Sequence, residues 1–217
     1  MAFCLNLSLC LSAQETAASQ WQPLLNQQGM ADYFKGLFSQ IGIRVAETSE
    51  AFTVIHRGDH FDLTDGINKD ADYILELEGK NISNLLGHAE DGKISEKESF
   101  RIISVMFSPM TRASLNNEFL TKKKYLRAAS VERFLHIILL DPEKQNDYQQ
   151  TLVFINDQWL VIPGLHGKAD RTFRITPDQA LDYQRKLFAA KQQNTRSEWR
   201  SFAKWYNNWK KTVSEKH

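Results

Sequence analysis

The stretch from Asp70 to Leu120 constrains the chain most. Tyr73, Leu75 and Leu77 alternate with Asp72, Glu76 and Glu78, the period-two pattern of a half-buried strand. Ile82, Leu85, Leu86 and Ala89 then recur at helical spacing. Ser95 with Glu98 three residues on is a capping box and predicts a second helix start. That helix carries Phe100, Ile102, Ile103, Val105, Met106 and Phe107 and is expected to be apolar nearly all round. Such a helix must be enclosed by protein, or share a wall with an apolar ligand.

Composition narrows the function classes. The 217 residues suffice for one domain with a real core, and 42% hydrophobic with 24% charged residues is the balance of a globular chain. A net charge of +1 excludes a nucleic-acid binder that works by general positive charge. Both cysteines, Cys4 and Cys10, precede the predicted folded body, which therefore has no disulfide, thiol nucleophile or cysteine-based zinc site. No apolar run is long enough to cross a bilayer. Residues 1–20 are expected to be a flexible leader or the remnant of an export signal. Phe3 to Ala13 has the composition of a signal core but no basic segment before it, which weighs for a cytoplasmic over an exported protein.

Residues 21–217 are expected to form a single α+β domain with a helical extension over 177–213. Phe34, Leu37, Phe38 and Ile41 mark the buried stripe of a helix from Met30 to Gln40 that Gly42 stops. Phe52–His56 and Phe61–Thr64 alternate around Arg57-Gly58-Asp59 as a hairpin. Ser108-Pro109 opens a short helix by N-cap and N1 rules. Val131–Leu140 is a buried strand, and Thr151–Ile155 with Trp159–Ile162 forms a second hairpin. Phe173 and Ile175 add a short strand. Thr176-Pro177 starts one C-terminal helix, and the capping box Thr195/Glu198 starts another. No internal repeat is visible.

The hairpin Phe52–Thr64, the strand ending at Leu77, the leucine-rich turn Ile82–Leu86, Gly92 and the apolar helix Phe100–Phe107 together resemble the sterol carrier protein-2 (SCP2) domain family. The resemblance spans roughly Met30 to Leu140 and rests on apolar pattern and element order. After Leu120 the chain departs from the family, with a longer hairpin and two C-terminal helices in place of short strands and one helix. The resemblance implies a mixed or antiparallel sheet of about five strands or more, helices on one face, and a tunnel for a sterol, fatty acid or other lipid between them. Leu85, Leu86, Phe100, Ile103, Met106 and Phe107 are the candidate lining of that tunnel; the same residues would equally fill a protein core. The function so implied is non-enzymatic binding or transfer of a hydrophobic small molecule, with no cofactor.

The alternative is an interaction module. Trp199, Phe202, Tyr206 and Trp209 follow helical spacing among Arg196, Arg200, Lys204, Lys210 and Lys211, a pattern suited to peripheral membrane or protein contact. The same helix could dock on the domain through its aromatic residues. His56 and His60 with Asp59 or Asp62 give an incomplete metal set, and no metal is expected. His166, between Gly164 and Gly167, is the one candidate general base, with no nucleophile or orienting carboxylate tied to it by spacing.

Overall fold

The computed structural model describes residues 16–77, 94–106, 132–155 and 158–217. The predicted elements around Leu85 and Leu86, the end of the apolar helix at Phe107, the short helix after Ser108-Pro109 and the basic run Lys122–Lys124 lie outside these residues.

The fold is mixed α+β. It has a four-stranded and a five-stranded sheet and, among the described residues, five helices, two of them C-terminal. Helices α1 (Ala17–Leu25) and α2 (Met30–Phe34) precede strands β1 (Gln40–Val45), β2 (Ala51–His56), β3 (Phe61–Asp65) and β4 (Tyr73–Leu77). Helix α3 (Glu96–Met106) follows, then β5 (Phe134–Leu139), β6 (Tyr148–Ile155), β7 (Gln158–Pro163) and β8 (Arg171–Ile175). Helices α4 (Pro177–Gln193) and α5 (Arg196–Val213) and the short strand β9 (Ser214–Lys216) end the chain. The first sheet has the order β3-β2-β1-β4 and the second β7-β6-β5-β8-β9. The strands therefore divide between two sheets instead of forming one.

The two sheets are copies of one unit. In each, a three-stranded antiparallel meander is joined by a strand parallel to its first member, β4 on β1 and β8 on β5. The registers coincide: Ile41 opposite Tyr73 becomes Leu135 opposite Arg171, and Phe52 opposite Asp65 becomes Gln150 opposite Pro163. The side-chain hydrogen bonds repeat as well. The Thr53 hydroxyl donates to the Gly66 carbonyl at 2.8 Å and accepts the Asn68 N–H at 2.9 Å. Thr151 does the same with Gly164 and His166, at 2.8 and 2.9 Å. Asp72 accepts the N–H groups of Ser39 and Gln40, and Asp170 those of Arg133 and Phe134. Gly66 and Gly164 hold φ of 74° and 80°, where a side chain is disfavoured. This overturns the expectation of no repeat. From Ala51 to Leu77 only Thr53, Asp59, Gly66, Ala71 and Asp72 recur unchanged 98 positions later, and from Gln40 to Val45, where the offset is 94, only Ile43 does, as Ile137, too few to stand out in the sequence.

Other expectations need correction. The helix expected from Met30 to Gln40 ends at Phe34, Gly36 turns the chain with φ of 74°, and Ile41 belongs to β1. Residues 17–20, the end of the stretch expected to be a flexible leader, belong to α1, capped by Thr16, whose hydroxyl accepts the Ser19 N–H. Helix α3 begins at the predicted capping box, where the Glu98 carboxylate accepts the Ser95 N–H and the Ser95 hydroxyl accepts that of Glu98. It is not apolar all round, since Glu96, Lys97 and Arg101 are exposed while Ile102 and Ile103 are buried.

One apolar cluster joins the two units. It takes Ile43, Val45, Leu75 and Leu77 from the first sheet, Leu139, Phe173 and Ile175 from the second, and Ile102, Leu181 and Phe188 from helices α3 and α4. Helix α4, which follows the second sheet, is clamped to the first unit. Gln184 donates to the Tyr73 hydroxyl at 2.6 Å, Arg185 to the Tyr33 carbonyl at 2.9 Å and Lys191 to the Asp72 carbonyl at 3.1 Å.

Candidate functional site

Side chains alternate across a strand and share a face with their cross-strand partners, so the repeated register allows the two inner faces to be compared position by position. In the first unit the row Phe52–Ile43–Leu75 is buried throughout. Trp21 of α1 meets Phe52 edge to face at 5.0 Å between ring centroids. Phe34 and Phe38 pack on Phe61 at 6.0 and 6.1 Å. Asn26 and Gln22 satisfy the Phe61 backbone, its N–H at 2.7 Å and its carbonyl at 3.0 Å. Protein fills this face.

In the second unit the equivalent row is Gln150–Ile137–Phe173. Gln150 stands where the first unit has Phe52. It is only 3% exposed, and its Oε1 has no hydrogen-bond partner. Trp209 of α5 stacks on Phe173 at 6.1 Å, and its indole Nε1 is also buried without a partner. One buried acceptor and one buried donor thus border the same inner face, each lacking the partner that buried polar groups normally find.

The charged groups beside this face are neutralised by each other. Arg171 donates to Glu132 at 2.8 Å and to the Ser214 hydroxyl at 2.9 Å, and Lys210 stands 3.9 Å from Glu132. The Arg171 hydrogen bond holds the Glu132 carboxyl below the usual range. Burial pushes the Tyr206 phenol up to about 12 and that of Tyr148 upward, so both stay neutral at physiological pH.

The tunnel-lining candidates are placed unevenly. Ile103 is buried at 2% exposure and Phe100 packs partly buried against the core. Met106 ends α3, and Leu85, Leu86 and Phe107 lie outside the described residues. The sequence did not single out Gln150; an isolated glutamine in a strand carries no signal until its face is known.

The aromatic residues of α5 turn inward. Tyr183 of α4 lies 6.0 Å from Phe202, 6.0 Å from Tyr206 and 5.3 Å from Trp209, and Trp199 meets Phe202 at 6.0 Å. Arg196, Arg200, Lys204 and Lys211 face outward. No described helix is long and apolar enough to cross a membrane.

The histidines hold turns together. His56 donates from Nε2 to the Ala31 carbonyl at 2.7 Å while its Nδ1 accepts the Gly58 N–H at 3.1 Å, which leaves no ring nitrogen for a metal. His60 is held by Asp59 at 2.7 Å, and Arg57 by Asp62 at 2.8 Å. The His166 ring donates to the Pro163 carbonyl at 2.7 Å, and His136 donates to the His166 carbonyl. Among the described residues no three metal-ligating side chains converge.

An open cleft of about 600 Å³ lies at the connection between β5 and β6, lined by Asp141, Lys144, Asn146 and Asp147. This connection is four residues longer than its counterpart in the first unit. The Asp141 carboxylate accepts the N–H groups of Glu143, Gln145 and Asn146 and so shapes the loop itself. The lining also takes in Leu140 and Gln149, the residue before Gln150 on β6, whose side chain the strand alternation sets on the opposite face of the sheet. No family model, curated protein or solved structure matches the chain.

Proposed function

We propose that the protein binds a hydrophobic small molecule, a sterol, fatty acid or other lipid, without catalysing a reaction on it, and that the ligand lies against the inner face of the second sheet. The observation that carries this reading is the contrast at one repeated position. Phe52 of the first unit is sealed by Trp21, whereas Gln150 of the second is buried with an unanswered carbonyl oxygen. A desolvated amide oxygen costs about 1–3 kcal/mol when left unpaired. A chain that folds one copy of this face with a phenylalanine has no packing need for glutamine in the other. An apolar tail gains about 0.8 kcal/mol per buried CH₂, so retention needs no charged anchor.

Mass spectrometry of an organic extract of the purified protein, set against an unrelated protein from the same host, tests this. The expected result is a stoichiometric apolar molecule. A clean extract together with no displacement of a fluorescent fatty acid would rule the reading out.

The interaction-module alternative requires the aromatic face of α5 to be available. That face is engaged by Tyr183 and Phe173, which favours the docked helix and leaves only the outward basic residues for such a role.

A further inference from the structure

The exposed face of helix α5 carries a charge pattern that helix stability does not explain. Arg196, Arg200 and Lys204 follow one another at four-residue spacing, and Lys211 falls on the same stripe. Residues four apart on a helix are neighbours, and like charges there destabilise it. Arg196 stands in the first turn, where the helix dipole disfavours a cation; only Lys211, in the last turn, is placed as the dipole prefers. None of the four pairs with a carboxylate among the described residues, whereas Lys210, one position from Lys211, stands 3.9 Å from Glu132. Ser197, Ser201, Asn207 and Asn208, exposed between them, are short and bring no negative charge. The aromatic residues of the helix are turned away, against Tyr183 and Phe173.

The chain's net charge is +1, so these four cations leave a net −3 on the rest of it. Positive charge is therefore drawn out along one line of about 22 Å, at 1.5 Å per helical residue, on a molecule that is otherwise acidic on balance. A nucleic acid gripped from several sides would meet that acidic remainder, and α5 leaves no aromatic side chain outside to stack on a base. An anionic bilayer presents a plane that one face can meet alone. With no large apolar side chain exposed on α5, the helix would rest on the headgroups without entering the acyl region.

We propose that α5 is an electrostatic docking surface for an anionic phospholipid bilayer, with Arg196, Arg200, Lys204 and Lys211 on the headgroup phosphates and the aromatic residues kept against α4 and β8. The proposal stands on a different observation from the binding reading above and does not depend on it.

Co-sedimentation of the full chain with vesicles of phosphatidylcholine alone, or of equal parts phosphatidylcholine and phosphatidylserine, tests it. Partitioning is expected onto the mixed vesicles only, and it should fall steeply as salt is raised. Each cation at such a surface contributes about fivefold, so Arg196→Gln, Arg200→Gln, Lys204→Gln and Lys211→Gln together should weaken partitioning by about 10³-fold. Arg44→Gln, Lys69→Gln, Lys168→Gln and Arg174→Gln together, which remove the same charge from exposed positions outside α5, should weaken it far less. The α5 variant loses like-charge neighbours and should unfold in urea no earlier than the wild type. Should it fail to fold, Arg200→Gln alone, with its expected loss of about fivefold, takes its place. No partitioning, equal partitioning onto both vesicle types, binding that ignores salt, or an equal loss in the two variants would overturn the proposal. So would tighter binding to a DNA duplex than to the mixed vesicles, lost in the α5 variant, which would assign the stripe to nucleic acid. None of these outcomes bears on the binding reading.

Discussion

The two units of this chain share strand order, register and turn chemistry, yet they treat their inner faces in opposite ways. The first is finished by its own aromatic residues: Trp21 on Phe52, with Phe34 and Phe38 on Phe61. The second keeps a glutamine at the equivalent of Phe52 and an ion pair at the equivalents of Tyr73 and Phe38, namely Arg171 and Glu132. One backbone plan thus carries two different inner faces, each covered by its own helix, α1 on the first and α5 on the second.

The largest expected effect tests the first half of that contrast. Trp21 is 2% exposed and fills the inner face directly. Trp21→Ala should cost about 3–5 kcal/mol in a denaturant titration, since it removes a buried ring and leaves a void. A loss below about 1 kcal/mol would mean that the first unit is not closed by this residue, and the two faces would no longer differ as described.

The next effect tests what the units share. Thr53 and Thr151 are both 0% exposed and each ties a carbonyl to an N–H across the same turn. Thr53→Val and Thr151→Val should each destabilise by about 1–3 kcal/mol, because two backbone groups lose their buried partner. The costs should resemble one another and add in the double variant, as expected of separate sites. A large cost at one position and none at the other would break the equivalence of the turns.

That equivalence was hidden in the sequence for a physical reason. The retained residues serve the backbone, Thr53, Gly66 and Asp72 in the first unit and Thr151, Gly164 and Asp170 in the second, whereas core positions changed residue, some within the apolar set, as Val45 to Leu139 and Leu77 to Ile175, and others outside it, as Phe52 to Gln150. Alternating strands and capping boxes were legible because period and cap are local signals, and β2, β3, β4, α3, α4 and α5 all appear where expected. Strand β1 was not legible. Phe34, Leu37, Phe38 and Ile41 mimic one helical stripe, but Gly36 breaks it, and the four reach the core from a helix, a connection and a strand. The start of helix α1 at Ala17 was not legible, because Trp21 and Leu25 are its only buried residues and Ala17–Gln20 carry no apolar period. The site was least legible of all, because the meaning of Gln150 comes from its cross-strand neighbours and its counterpart in the first unit.

A smaller effect, opposite in sign, sharpens the functional half of the contrast. Gln150→Leu should stabilise the ligand-free protein by about 1 kcal/mol, since an unpaired buried oxygen is replaced by an apolar group. Differential unfolding of delipidated samples would measure it. A destabilisation would mean that the oxygen has a structural partner, and the second face would then be as complete as the first.

The smallest effect separates the units by pH. Glu132 is held below its ordinary pKa chiefly by the Arg171 hydrogen bond, with Lys210 adding to it, and the first unit has no carboxylate at the matching position, Phe38. A depressed carboxylate contributes stability that is fully present above its unfolded pKa, about 4.3, and is lost as pH falls through the lower folded value. The pair is partly open to solvent, so its contribution near neutrality should stay within about 1 kcal/mol. Glu132→Gln is therefore expected to lower stability slightly at neutral pH, and the gap between variant and wild type should close as the carboxylate protonates in acid. Urea titrations of both proteins across that range would show it. A gap that persists unchanged into acid would mean that Glu132 acts by packing instead of charge, and the ion pair would then not be what sets this edge of the second unit apart from its aromatic counterpart.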